Sequence, residues 1–485
     1  MEYTSTRNDA LRVSASEAIL KGLAPDGGLF VPVEFPQVKP EEFYGLTYPQ
    51  TAEKVLRLFL TDYDPDFLKR AVEEAYGAGC FSGKADFLAR VEEKLWSLEL
   101  WHGPTCAFKD YALQLMPKLL VEAKRNLGDT GTTKILVATS GDTGKAALAG
   151  YAGLPGIRIA VFYPNAGTSE VQRLQMATQE GGNVAVYAVE GNFDDTQTGV
   201  KHVFADTALA RQLGQKNERL SSANSINWGR LVPQIVYYFY SYAQLVAQNG
   251  IAAGDAVDYC VPTGNFGDIL AGYYAKRMGL PVGRLICASN QNNVLTELLE
   301  TGRYDVRRPF YKTESPSMDI LVSSNLERLL YHTTQDAGAV ALWMQQLAQD
   351  GVYTLPENVL AKIQETFFGA CADDAQGRAE IRARFAQNGY LCDTHTAVAF
   401  CAARTAISSE DPCVVLSTAS PYKFPCAVLG ALGEERTADE FDAMRRLTEK
   451  TGVPVPESLA SLREKEIRFT QVIDKNEMPE IALLL

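Results

Sequence analysis

Lys109 stands where a run of alternating apolar residues, 98–101, breaks at Gly103-Pro104 and resumes at helical spacing through Phe108, Tyr111, Leu115 and Met116. An amine at such a strand-to-helix junction, beside Ala107 and Phe108, reaches water less easily than one on an open helix face. Partial burial lowers an amine's pKa, the usual route to a nucleophile or a Schiff-base former. The alternative is a lysine whose stem lies over apolar surface while its ammonium stays wet. The turns elsewhere in the chain bear on that choice.

Four polar or glycine-rich turns follow strand-like runs, at the strand C-termini where open parallel sheets hold ligands. In the first, Ser140-Gly141-Asp142-Thr143-Gly144, the pair Gly144-Lys145 suggests a phosphate loop of the nucleotide-hydrolase kind. That motif would need Gly at Thr139 and Ser or Thr at Ala146, so it fails at both ends. What remains is the N-terminus of a helix, where the Ser140 and Thr143 hydroxyls and free amides suit an anion; plain capping by Ser140 or Asp142 is the alternative. The second turn runs Gly264-Asn265-Phe266-Gly267-Asp268. Its glycines let amides close around a phosphate at a helix N-terminus, and with no lysine in it a single phosphate fits better than a triphosphate. The third, 221–230, sets Asn224 and Ser225 ahead of Arg230, which could grip a phosphate or carboxylate in bidentate fashion or simply sit on the surface beyond a capped helix. The fourth, Leu416-Ser417-Thr418-Ala419-Ser420-Pro421, offers hydroxyls to a ligand ring nitrogen, or to a helix cap. His395 reads as a helix-start residue. The four histidines are too scattered for a metal site, and no G-x-S-x-G is present.

Composition narrows the classes these turns could serve. The chain has 485 residues, 46% hydrophobic and 22% charged, which is ordinary for a globular protein. With 59 acidic against 46 basic residues the formal charge is −13, which argues against nucleic acid or an anionic membrane as partner. Nine cysteines, an odd number with irregular spacing and no C-x-x-C, indicate buried thiols in a reducing cytoplasm. The first residues lack the basic and apolar regions of a signal peptide. The longest apolar stretch, 231–247, carries Pro233 and Gln234 and falls short of the ~20 residues a membrane span needs; it is expected to be a core helix.

The elements that must position these turns follow in order. Residues 1–95 read as a helical, acidic leader, with capping-box spacing at Ser14 and Glu17. From 96 to 228 strands at 135–139, 157–162 and 184–189 alternate with helices, giving a smaller α/β lobe that carries Lys109. From 229 to 433 a larger lobe opens with a long helix at 229–247. It continues through strands at 257–261, 285–288 and 413–416, an irregular polar segment at 303–325, and helices at about 355–369, 376–387 and 396–407. The tail, 434–485, is expected to pack over another part of the molecule. The fold class is α/β, with two open, mostly parallel sheets.

Taken together, HGPTCAFKD (102–110), TSGDTG (139–144), ANSINWGR (223–230), VPTGNFGDILAGYYAKRMGLP (261–281), SPSMDILVSSNLERLL (315–330) and LSTASPYKF (416–424) resemble the threonine synthases among the fold type II pyridoxal-phosphate enzymes. The likeness is to the subgroup of fungi and many bacteria and spans nearly the whole chain. It implies pyridoxal 5'-phosphate as cofactor, Lys109 in Schiff-base linkage with it, and Gly264, Asn265, Phe266, Gly267 and Asp268 around its phosphate. Thr418 then faces the pyridine nitrogen, where a hydroxyl makes a weaker electron sink than a carboxylate and favours elimination and replacement over transamination. The implied activity is a carbon–oxygen lyase of threonine biosynthesis, taking O-phospho-L-homoserine and water to L-threonine and phosphate. Lys109 serves as the base at Cα. Substrate contacts fall on Ser140, Asp142, Thr143, Asn224, Ser225 and Arg230, with Lys145 outside the motif. Asp142 stands where many relatives have asparagine; it either turns from the cofactor's phenolate or shares a proton. A small-molecule substrate, a monomer or homodimer, and a cytoplasmic location complete the expectation. The rivals are a threonine or serine dehydratase, against which the absence of an S-x-N-H-A-Q turn counts, and a non-catalytic phospho-ligand-binding relative, which should lack Lys109 or the GNFGD turn.

Overall fold

Runs of buried apolar residues build two sheets in the computed structural model, which describes residues 1–81, 88–139, 141–165, 168–406 and 411–485. The larger has six strands in the order Phe367–Cys371, Val282–Ser289, Val257–Pro262, Cys413–Ser417, Leu95–Glu99 and Leu88–Arg90. All its pairs are parallel except the last. The smaller has five, all parallel, in the order Val472–Ile473, Val184–Val189, Ile157–Pro164, Thr132–Ala138 and Glu218–Ser221. Strands such as Val257–Pro262 and Cys413–Ser417 are buried along their full length, as helices packed on both faces of a parallel sheet require. The α/β class with two mostly parallel sheets stands.

Several expected boundaries do not. The strand leading to Lys109, Leu95–Glu99, was expected to open the smaller lobe at 96. It instead pairs with Cys413–Ser417, Leu98 opposite Leu416, inside the larger sheet. The leader is not purely helical: Tyr3–Ser5 lies between Asn8–Val13 and Phe30–Pro32 in an antiparallel sheet. These strands are short, and the exposed second one lacks the alternation that marks a half-buried strand. The helix expected over 355–369 ends at Gln364, and Phe367–Cys371 is the edge strand of the larger sheet. There Gly369 packs tightly: a Cβ on it would lie 2.9 Å from the Thr296 Cα. Helices Leu326–Thr334 and Ala337–Asp350 occupy a stretch to which the pattern assigned no element.

The helix expected over 229–247 breaks into Trp228–Leu231, a 3-10 turn Val232–Gln234 and Ile235–Ala247, because Pro233 has no amide to donate. Trp228 ties it to the leader, its ring centroid 5.2 Å from that of Tyr3 and 5.5 Å from that of Phe59. The end of the tail is built into the smaller lobe, while its helix Glu440–Thr451 packs into the core of the larger one through Ala443, Met444 and Leu447. Val472–Ile473 adds a strand, and helix Met478–Leu484 is held by Lys134, whose Nζ donates to the carbonyls of Ala482 and Leu483 at 3.2 and 3.0 Å. Among the described residues no helix is long and apolar enough to cross a membrane.

Candidate active site

Lys109 opens the helix Lys109–Leu113, and the loop before it is stitched to the end of the neighbouring strand. Leu100 N donates to Ser417 O at 2.8 Å, Phe108 N to Thr418 O at 2.9 Å and Ser420 N to Cys106 O at 3.1 Å. Thr418, 6% exposed, is therefore fixed beside the root of Lys109 by backbone bonds alone. Buried Asp110 clamps the loop from within, accepting the Thr105 amide and hydroxyl, both at 2.8 Å, and the Gln114 amide at 3.1 Å. Burial pushes its carboxyl up to about 6.

The Lys109 side chain is 12% exposed, with Nζ 3.5 Å from Asp142 Oδ2 and 4.8 Å from the centroid of the Phe108 ring. Burial lowers the pKa of its ammonium. Asp142 opposes that shift, while the cations Lys423 and Arg230 add to it. The wet, snorkelling alternative is thereby excluded.

Asp142 begins the helix Asp142–Tyr151. The turn ahead of it is capped by Thr139, whose Oγ1 accepts the Gly141 and Gly144 amides at 3.0 and 3.1 Å. The cap falls to a residue that sequence had assigned to the strand, and the Asp142 carboxylate is free for other partners. It pairs with Lys423 Nζ at 2.8 Å and accepts Gln172 Nε2 at 3.1 Å. Burial works against its charge, but Lys423 and Lys109 outweigh it and hold the carboxyl well below the usual carboxylate range. Thr143 is half-buried in the same first turn, and Ser140 lies outside the described residues. Lys145 turns to Gln179 Oε1 at 2.6 Å, its ammonium brought down to about 8 by burial.

The glycine-rich turn follows Val257–Pro262 and opens the helix Gly267–Arg277, with Phe266 in the left-handed region at φ 60°. A strap at 315–325 braces it from behind. Ser323 Oγ donates to Gly264 O at 2.7 Å, and Asn325 donates to Asn265 O from its amide at 3.1 Å and its side chain at 2.9 Å. The amides of Gly264, Asn265 and Phe266 make no hydrogen bond to described residues. Such a row of free amides at a helix N-terminus suits one phosphate. The strap is seated by buried His395, whose Nδ1 lies 2.6 Å from Asp393 Oδ2 and whose Nε2 accepts the Ser317 amide at 3.1 Å. Asp268, expected with the phosphate turn, turns its carboxylate instead to the Tyr237 and Tyr238 hydroxyls. Burial raises it to about 7, and its Oδ2 has no partner among the described residues.

A Cβ on Gly264 would lie 2.6 Å from the Ser317 carbonyl oxygen. Gly264→Ala should displace the strap, cost about 1–3 kcal/mol in stability by overpacking, and weaken phosphate-monoester binding. Urea unfolding and calorimetric titration check both; unchanged affinity would show that the turn does not hold phosphate.

In the third turn Asn227 caps the helix through Gly229 N at 2.8 Å. Arg230 is 3% exposed, not a surface arginine. Its Nη1 donates to Ala223 O at 2.5 Å, its Nε has no partner among the described residues, and burial drops its pKa to about 10. Asn224 is exposed, and Ser225 offers its carbonyl to Asn325 Nδ2 at 3.3 Å.

The residue that sequence reasoning missed is Lys423, 0% exposed, in the turn after the Cys413–Ser417 strand. Its only signal was a lone lysine among apolar neighbours in SPYKFPC. Among the described residues no cluster of His, Cys, Asp and Glu could hold a metal. Within charge-interaction range of one another stand a desolvated amine, a carboxylate between two lysines, and an arginine incompletely paired among the described residues, with the glycine-rich turn's row of amides on the element that carries Asp268: a fit for an aldehyde-bearing phosphate ester and a second anion.

Residues 2–76 match the family described as Threonine synthase N terminus, 84–362 that of Pyridoxal-phosphate dependent enzyme, and 396–481 that of Threonine synthase, C-terminal. The chain is 40% identical over 481 residues to the threonine synthase of Pseudomonas aeruginosa, covering 97% of this chain and 95% of that one. It is 40% identical to threonine synthase-like 1 of Homo sapiens over 86% of this chain, and spans 58% of that longer protein's length. The crystal structure of PLP-bound threonine synthase from Brucella melitensis superposes with a TM-score of 0.89 at 39% identity, covering 100% of this chain and 99% of that one.

Proposed function

Because the chain belongs to the threonine synthase family of pyridoxal-phosphate-dependent enzymes, we propose that it converts O-phospho-L-homoserine and water into L-threonine and phosphate. The observation that carries this substrate is Arg230: a buried guanidinium whose Nε has no partner among the described residues, close enough for its charge to act on Lys109. A cation left incompletely paired beside the reactive amine calls for an anionic group on the substrate.

Pyridoxal phosphate, when bound, supplies an aldehyde that captures amines and a ring that draws electrons from the carbon beside them. Lys109 Nζ is the amine for that aldehyde. The Gly264, Asn265 and Phe266 amides, with Gly267 opening the helix, are the seat for its phosphate, and Thr418 supplies a hydroxyl for the ring nitrogen. Asp268 acts one layer below, joining the turn to Tyr237 and Tyr238. With the substrate's amino group held by that aldehyde, the Lys109 amine would remove the Cα proton and then one Cβ proton; phosphate would depart from Cγ, water would add its hydroxyl at Cβ and give its proton to the phosphate, and Lys109 would return the two protons to Cγ and Cα. Arg230 holds the leaving phosphate, with Thr143 in the first turn of the helix Asp142–Tyr151 and with Asn224 and Ser225; Ser140, next to that turn in the sequence, is the further hydroxyl proposed for it. Asp142 sits behind Lys109 and orients it.

The acidic balance of the chain supports a small-molecule substrate over nucleic acid, and nine free cysteines support a reducing, cytoplasmic setting. The test is a paired assay of the purified protein with pyridoxal phosphate. Phosphate release from O-phospho-L-homoserine is expected, with little ammonia from L-threonine. Ammonia release without phosphate release would instead mark a dehydratase.

A further inference from the structure

Two buried lysines share one buried carboxylate. Lys109 approaches Asp142 Oδ2 at 3.5 Å, and Lys423 binds Oδ1 at 2.8 Å. Lys423 is also fixed by the Thr105 carbonyl at 3.2 Å and Gln175 Oε1 at 2.5 Å, so it reaches the loop before Lys109, the helix Glu170–Ala177 and Asp142 at once. A reactive lysine must give up its proton. If Asp142 had only Lys109 as partner, that step would strand a buried anion, and a buried pair losing one charge is strongly disfavoured. With Lys423 present the pair Asp142–Lys423 stays neutral whatever Lys109 does.

We propose that Lys423 is a positioning residue that acts through Asp142: it balances and orients the carboxylate, so that Lys109 can lose its proton without leaving a lone buried charge. The proposal rests on the reading of Lys109 as the reactive amine. The other charged groups acting on Lys109 are Arg230 on the helix Trp228–Leu231 and Asp268 on the helix Gly267–Arg277. Neither is altered by the variants below.

The experiment reads Lys109 itself in the full-length, cofactor-free chain. Labelling with acetic anhydride across a pH series, quantified on the Lys109 peptide by mass spectrometry, yields the midpoint of its deprotonation. In Lys423→Gln, which keeps a side-chain donor but removes the charge, the midpoint should rise by about one unit or more, since a like charge is lost and Asp142 turns wholly to Lys109. In Asp142→Asn it should fall. In the double variant it should return toward the wild type, because the two charges are removed as a pair. An unmoved midpoint in Lys423→Gln, or a double variant no nearer the wild type than Lys423→Gln, would leave Lys423 only a structural brace and overturn the proposal. If Lys423→Gln does not fold, Asp142→Asn decides: a lowered midpoint supports the coupling and an unchanged one overturns it. Should Lys109 prove dispensable for turnover, the reading beneath the proposal fails, and that outcome is separate from the labelling result.

Discussion

Lys109→Ala is expected to cut phosphate release from O-phospho-L-homoserine at least about 10³-fold, and to remove the visible absorbance of covalently held cofactor. One positioned acid–base group contributes roughly 10²–10⁴ in rate, and this amine also anchors the cofactor. Thermal unfolding measured alongside separates lost chemistry from lost fold. The pH dependence follows from the direction of the Lys109 shift. The neutral amine is the working form in the free chain, and burial lowers its pKa below the ordinary lysine value. The rate of cofactor capture should therefore rise with pH and level off at a pH below that value. The same sign appears in stability. Between the folded and unfolded pKa the unfolded chain binds the extra proton, so the Lys109 contribution to stability improves as pH rises through that window. Full turnover in the alanine variant would refute the assignment of Lys109.

Arg230→Met should act on function and stability with opposite signs. Losing a buried charge partner for an anion costs about 2–5 kcal/mol, and about 1.4 kcal/mol is tenfold, so KM for the phosphorylated substrate is expected to rise by about 30-fold to several thousand-fold. The folded chain, however, buries this guanidinium with no partner for its Nε among the described residues, and burial holds its pKa down at about 10. Methionine keeps much of the stem's volume and removes the buried charge, at the loss of the bond to Ala223 O. Urea unfolding of the cofactor-free variant should therefore show equal or greater stability. Such a site is kept at a cost to the fold for the sake of the ligand. Arg230→Lys keeps the charge but not the fork and should fall between the two. A KM unchanged in Arg230→Met would transfer the phosphate contact to another residue.

Much of this site was legible one turn at a time. Gly264 and Gly267 announce a turn that a backbone can close around a ligand, and Lys109 behind Gly103-Pro104 announces an amine at a junction. Such features depend on a few consecutive residues, whose φ/ψ preferences and capping chemistry act locally. The Ser14–Glu17 capping box, read from spacing alone, forms as expected. Reading failed where a residue's role is set by something distant. Thr139 looked like the end of a strand and is the cap of the next helix. Phe367–Cys371 looked like the end of a helix because an edge strand of mixed aromatic and small residues has no clear period. Asp268 was grouped with its glycine neighbours, yet its carboxylate belongs to a tyrosine pair on another helix.

The amino-acid order by itself determined the α/β class and singled out Lys109 and the glycine-rich turn as the candidates for reactive amine and phosphate seat, since each is written in a short stretch whose local conformation carries the chemistry. Which strand neighbours which was decided only in three dimensions. Once Leu95–Glu99 enters the sheet beside Cys413–Ser417, Thr418 comes to lie against Phe108, and Lys423 against Thr105 and Asp142. Burial then does what no side chain announces alone. Away from water a charge is tolerated only beside its counter-charge, so the fold, by choosing who is buried with whom, makes Asp142 a fixed anion between two lysines, lowers the pKa of Lys109 and leaves Arg230 the place where the proposed phosphate contact is tested.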